Sequence, residues 1–160
     1  MASRNIDDLK PELALKCREF LARCQSAGLG VIVTCTSRTV QEQHALYAQG
    51  RSPLSEVNRL RTACGLGLIT EQANARCVTW TMQSRHLVDL TDNPPDNDKS
   101  SAFDFAVKGA DGHAEWDLKV DVNDNDVPDY TEAGRIAEAL GLHWGGRWDK
   151  PDYPHIQLPA

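Results

Sequence analysis

Near its C-terminal end the chain reads Trp148-Asp149-Lys150-Pro151-Asp152-Tyr153-Pro154-His155-Ile156-Gln157-Leu158. Asp152 stands three positions before His155, and the intervening proline suits a rigid turn that aims both side chains at one point. A carboxylate and an imidazole so placed are half of a metal-hydrolase site. Catalytic zinc takes three protein ligands, mainly neutral imidazole and carboxylate, and leaves a fourth position to water. Candidates are few, because the chain has five histidines. His44 falls within an expected helix, His113 in a glycine-flanked turn and His143 just past a helix end. His86 and His155 lie beside expected strands, and Asp104 is the acidic residue inside one.

The elements that must position these residues follow from apolar spacing. Leu9, Leu13, Cys17, Phe20, Leu21 and Cys24 recur at helical intervals, with Asp7 and Asp8 at the start and Gly28 just past the end. Residues 30–36 form a β-branched run expected to be a buried strand. A second helix is expected over 39–49, stopped by Gly50. Residues 51–76 carry no clear pattern, and 77–82 suit a strand. Residues 89–101, rich in Asp, Asn, Pro and Ser, read as a solvated loop. Residues 102–107 alternate as a strand, and a last helix is expected over 130–140, ending at Gly141. Helices and strands mix without a regular βαβ rhythm, which indicates the α+β class in a single domain spanning 1–160.

Composition narrows the partners. A net charge of −6 provides no basic stripe for nucleic acid. No stretch approaches membrane-spanning length, and the N-terminus has no apolar signal core, so membrane insertion is not expected. Five cysteines, Cys17, Cys24, Cys35, Cys64 and Cys77, form no CxxC pair. They indicate reduced thiols in a chain made in a cytoplasm.

Three ordered motifs carry a resemblance. Ser84-Arg85-His86, Ser101-Ala102-Phe103-Asp104 and Asp152-Tyr153-Pro154-His155 resemble the motifs of the LAS zinc peptidases. That family comprises D-Ala-D-Ala carboxypeptidases and dipeptidases, and L-alanyl-D-glutamate endopeptidases used as phage endolysins. Thr36-Ser37-Arg38-Thr39 with Glu42-Gln43, Leu46 to Arg51, and Trp144-Gly145-Gly146 with Trp148 extend the likeness. It covers 34–160 as the catalytic region, with 1–28 as an N-terminal helix. The resemblance implies a hedgehog/DD-peptidase-like fold, a small antiparallel sheet packed with helices. It implies zinc on His86, Asp104 and His155, Asp152 as general base, and Arg38 facing the scissile carbonyl. Gln43 and Ser84 join Arg38 as substrate-side residues, Ser84 also supporting the turn that holds His86. Two departures stand out. Leu87 to Ser100 form an insertion between two ligands, with Ser100 in place of the motif glycine, so Asp89 or Asp92 competes with Asp104. Arg147 replaces the acidic residue that follows Trp-Gly-Gly in many relatives.

Outside that likeness, residues 121–132 place oxygen ligands as an EF-hand loop does: Asp121, Asn123, Asn125, Asp129 and Glu132, with the Val127 carbonyl at the seventh position. Asp126 stands where the loop wants glycine. Calcium is therefore a second expected metal.

Together these features imply a monomeric zinc metallopeptidase acting on peptidoglycan stem peptides. The form favoured is an L-alanyl-D-glutamate endopeptidase of phage endolysin type. Such a protein is made without a signal peptide and reaches the cell wall after holin-type release. The alternatives are a D-Ala-D-Ala carboxypeptidase, or a non-catalytic zinc- or wall-binding module of the same fold.

Overall fold

The first helix begins later than its acidic residues suggest. In the computed structural model, which describes residues 2–88 and 99–160, Asp7 and Asp8 belong to a short 3-10 turn, Ile6–Asp8. Helix α1 then runs Pro11–Ser26. Pro11 sits in the first turn, where a missing N–H breaks no helical bond. Gly28, at φ 81°, ends it, and Leu29 N–H donates to the Cys24 carbonyl at 2.9 Å. The buried face of α1 carries Leu13, Cys17, Phe20 and Cys24.

That face covers one side of an antiparallel sheet. Strands β1 (Val31–Cys35), β2 (Ala102–Lys108), β3 (Ala114–Glu115), β4 (His143–Trp144) and β5 (His155–Gln157) run in the order β1-β2-β5-β4, with β3 on β2. Alternation along β2 sends Phe103, Phe105 and Val107 into the helical layer and Asp104 to the opposite face. Phe20 packs edge-on against Phe105, ring centroids 5.4 Å apart, and 5.6 Å from Phe103. Helix α5 (Asp129–Ala139) closes the layer through Tyr130, 5.5 Å from Phe105. Truncating Phe20 to alanine would cost about 3–5 kcal/mol by the usual range for core aromatics. The N-terminal helix is thus part of the same core, and the α+β class holds.

Helix α2 (Val40–Ala48) is set by a capping box in which Thr39 and Glu42 satisfy each other's backbone N–H groups. Residues 51–76 contain α3 (Leu54–Ala63) and α4 (Glu71–Asn74). Each is short, and among α3 residues only Val57 is buried, so no apolar period marks them. Residues 77–82 are not a strand. Val78, Trp80 and Met82 are exposed, and the segment is held by a side chain instead: Gln43 Nε2 donates to the Thr81 carbonyl at 2.7 Å and to Thr79 Oγ1 at 3.1 Å. Asp89, Asp92 and the acidic loop around them lie outside the described residues.

Candidate active site

Sheet register assembles the site. Cys35 pairs with Asp104 across β1 and β2, and Asp104 pairs with His155 across β2 and β5, so three strands place these side chains in one cross-strand row. A bulge between Val33 and Cys35 brings Cys35 opposite Asp104. His86 joins from a turn stitched to the same region, where Arg38 N–H donates to the His86 carbonyl at 2.9 Å. Ser84 Oγ accepts from the His86 N–H at 3.3 Å.

The three expected ligands converge. His86 Nε2 lies 2.9 Å from Asp104 Oδ1 and 3.2 Å from His155 Nδ1, and His155 Nδ1 lies 3.2 Å from Asp104 Oδ1. Ligand atoms about 2.0–2.1 Å from a tetrahedral zinc stand about 3.3 Å from one another. The triangle therefore matches one face of such a site in size as well as in donor chemistry. Each ring has a partner on its other nitrogen: Gln157 Oε1 at 3.0 Å from His155 Nε2, and Cys35 Sγ at 3.8 Å from His86 Nδ1. Such partners orient imidazole ligands. Cys35, His86 and Asp104 also group closely enough to hold an ion. Cys35 meets His86 at the nitrogen turned away from Asp104 and His155, and burial pushes its thiol up to about 11. Sequence reasoning missed Cys35 and Gln157; the latter was findable, two residues from His155 on the same strand face.

Arg38 braces the carboxylate. Its Nη2 donates to Asp104 Oδ2 at 2.9 Å, leaving Oδ1 to the imidazoles, and its Nη1 lies 3.4 Å from Gln43 Oε1. Burial alone would raise the Asp104 carboxyl, but His86 and His155 outweigh it and hold the group well below the usual carboxylate range. Gln43 is fully buried. Expected on the substrate side, it lies instead behind Arg38, its amide shared between Arg38 and the 79–81 segment.

Asp152 is aimed by packing. Its N–H donates to the Gly145 carbonyl at 3.0 Å, and its own carbonyl accepts from His155 N–H at 3.2 Å. A Cβ on Gly145 would stand 2.5 Å from that Asp152 carbonyl oxygen, and Cβ atoms on Gly134 and Gly146 would stand 2.2 and 2.3 Å from the Trp144 ring. The Trp-Gly-Gly motif is thus a close-packing device: the indole fills the space of two absent side chains, and Gly145 lets the 152–155 turn dock. Burial, then the nearby Asp104 charge, raises the Asp152 carboxyl, which suits a group that both takes and returns a proton. Around these residues opens a cleft of about 890 Å³ that includes Arg38, His86, Asp104, Asp152 and His155, walled by Trp80, Trp116 and Trp148.

Comparison with known proteins agrees with this geometry. A family profile described as D-alanyl-D-alanine carboxypeptidase matches residues 99–158. The chain is 30% identical over 152 residues to the peptidoglycan L-alanyl-D-glutamate endopeptidase CwlK of Bacillus subtilis (strain 168), covering 94% of this chain and 74% of that protein. The chain belongs to the LAS peptidase family. The crystal structure of Serratia marcescens L-Ala D-Glu endopeptidase ChiX shares the fold, with a TM-score of 0.54 at 20% identity over 99% of this chain and 89% of that one.

Against the LAS pattern, Ser100 and Arg147 have local explanations. Ser100 is fully buried; its hydroxyl donates to the Thr36 carbonyl, and its backbone bonds to Asp8 and Lys10 tie the 3-10 turn to the start of β2. Arg147 forms a two-pronged pair with Glu138 of α5, at 2.9 and 3.0 Å.

Proposed function

We propose that the chain is a zinc peptidase that hydrolyses the L-Ala–D-Glu bond of peptidoglycan stem peptides. The observation that carries this reading is the triangle of His86 Nε2, Asp104 Oδ1 and His155 Nδ1 with Asp152 on the adjoining turn. The name of the CwlK relative supplies the bond. His86, Asp104 and His155 would hold zinc, which when bound would supply Lewis acidity and lower the pKa of water to about 7. Asp152 takes the proton from the attacking water and delivers it to the leaving amine. Arg38, which lines the cleft while bracing Asp104, offers its guanidinium to the developing oxyanion. Ser84 holds the His86 turn and borders the substrate, and Gln43 keeps Arg38 in place. Digestion of purified peptidoglycan, with mass spectrometry of the new termini, tests the assignment. Free N-terminal D-Glu is expected. Released D-Ala would establish a carboxypeptidase, and no product from the zinc-loaded chain would leave only a binding module.

The endolysin role is inferred with it. Five free thiols suit synthesis in a reducing compartment followed by release to the wall. Co-expression with a holin should lyse host cells, and lysis equally fast without the holin would argue against that route.

We also infer calcium in the 121–132 loop. Asp129 is fully buried, and its Oδ1, like Asn123 Oδ1, has no hydrogen-bond partner. Burial raises the Asp129 carboxyl. Asp121 accepts from the Asn125 and Asp126 N–H groups, and Glu132 from the Asn123 and Asn125 amides. Asp126 takes φ 63°, the conformation glycine would provide at that position. Calorimetric titration with calcium should show saturable heat that Asp121→Ala removes; no heat in the wild type ends the idea.

A further inference from the structure

We propose that Lys150, seated on Trp80, recognises the carboxylate attached to the carbon that bears the leaving nitrogen of the substrate. The inference rests on the peptidase reading above. Hydrolysis breaks the bond between the L-Ala carbonyl carbon and the D-Glu nitrogen; water oxygen goes to that carbon and a proton to the nitrogen. Because D-Glu continues the stem through its γ-carboxyl, its α-carboxylate stays free, two bonds from the leaving nitrogen. The side chain that protonates the amine and the one that reads the carboxylate must therefore be neighbours.

Lys150 meets that condition. It lines the same cleft as Asp152, two residues away on the turn that Gly145 docks. Its Nζ lies 4.6 Å from the centre of the Trp80 ring, an arrangement that positions a cation without neutralising it. Trp80 is in turn held through Thr79 and Thr81 by the buried Gln43 amide. Among the described residues three cations line the cleft, Arg38, Arg85 and Lys150. Arg38 pairs with Asp104 and in the reaction proposed above faces the oxyanion on the carbonyl side of the bond, and Arg85 is on the His86 turn, away in sequence from the proton-delivering residue. Lys150 forms no ion pair among the described residues, in a chain whose net charge is −6.

The test uses the zinc-loaded full chain and two peptides, L-Ala-γ-D-Glu-L-Lys and its analogue with the α-carboxylate amidated. Wild type should show a KM about 10-fold lower for the carboxylate peptide, the size of one charge-assisted contact. Lys150→Met should raise that KM to the amide value and bring the ratio to about 1, with Lys150→Arg restoring part of the preference. Trp80→Ala should weaken the preference, and Arg85→Met should keep it. A preference that survives in Lys150→Met, is lost in Arg85→Met, or is absent from an active wild type overturns the inference alone. Cleavage of neither peptide sinks the endopeptidase reading and takes this inference with it.

Discussion

The molecule carries two polar clusters that differ in how their charge is resolved. At the cleft, Asp104 has Arg38 on one oxygen and two imidazoles on the other, so both of its oxygens are partnered. In the 121–132 loop, five carboxylates, Asp121, Asp124, Asp126, Asp129 and Glu132, make no ion pair among the described residues, and two buried oxygens go unpartnered. The first cluster draws its side chains from three distant segments that the sheet brings together. The second is contiguous, close to a helix start, and keeps two buried oxygens without a partner. A preorganised centre suits catalysis, where misplacement by an ångström is costly; an unresolved one suits reversible binding.

The sharpest way to break the contrast is to remove single members of each cluster. Asp152→Asn should lower kcat on peptidoglycan by about 10²–10⁴-fold, the usual worth of a general acid–base group, while bound zinc measured by atomic emission stays at one per chain. His155→Ala should lose both. An Asp152→Asn enzyme with near-normal kcat would remove the residue from the mechanism.

The loop should respond in stability. Calcium at about 100 times its Kd adds about 2.7 kcal/mol, which corresponds to about 5–10 °C in Tm for a chain of this size. Asp129→Asn should abolish that shift and, in chelator, melt higher than wild type, because it removes a buried carboxylate with an unmatched oxygen. If Asp129→Asn melts lower in chelator, the two clusters are not different in kind.

A smaller effect is expected at Gln43, which belongs to the resolved cluster only through Arg38. Losing its amide should cost about 1–3 kcal/mol, since Thr79, Thr81 and Arg38 each lose a partner in a buried setting. Urea denaturation of Gln43→Ala measures the cost, and an unchanged midpoint would show that the 79–81 segment is held by other contacts.

Much of this was legible beforehand because it is local or periodic. The helical spacing of Leu13, Cys17, Phe20 and Cys24, the alternation of Phe103-Asp104-Phe105, and the three ligand motifs all announce themselves in the chain. What escaped depends on pairing between distant segments. Cys35 became a neighbour of His86 only through a bulge in β1. Residues 77–82, apolar enough for a strand, became an exposed cleft wall because one buried glutamine takes their carbonyl. Helices α3 and α4 bury too little to leave a pattern.

The smallest effect should come from the surface strap at Arg147. The guanidinium pairs with Glu138 and lies 5.4 Å from the Trp144 ring centre, and that pairing lowers the Glu138 carboxyl. Both partners face solvent, where ion pairs contribute little to stability. Arg147→Met keeps an apolar stem on the indole and removes only the charge, so Tm and kcat should stay within error. Gly145→Ala, a single methyl on the neighbouring turn, should by contrast displace Asp152, because its Cβ would meet the Asp152 carbonyl at 2.5 Å. Paired thermal melts and peptidoglycan assays of the two variants compare charge with packing directly. A larger loss in Arg147→Met than in Gly145→Ala would mean that the surface charge, and not the close fit of glycine against the turn, holds the Asp152 carboxylate in place.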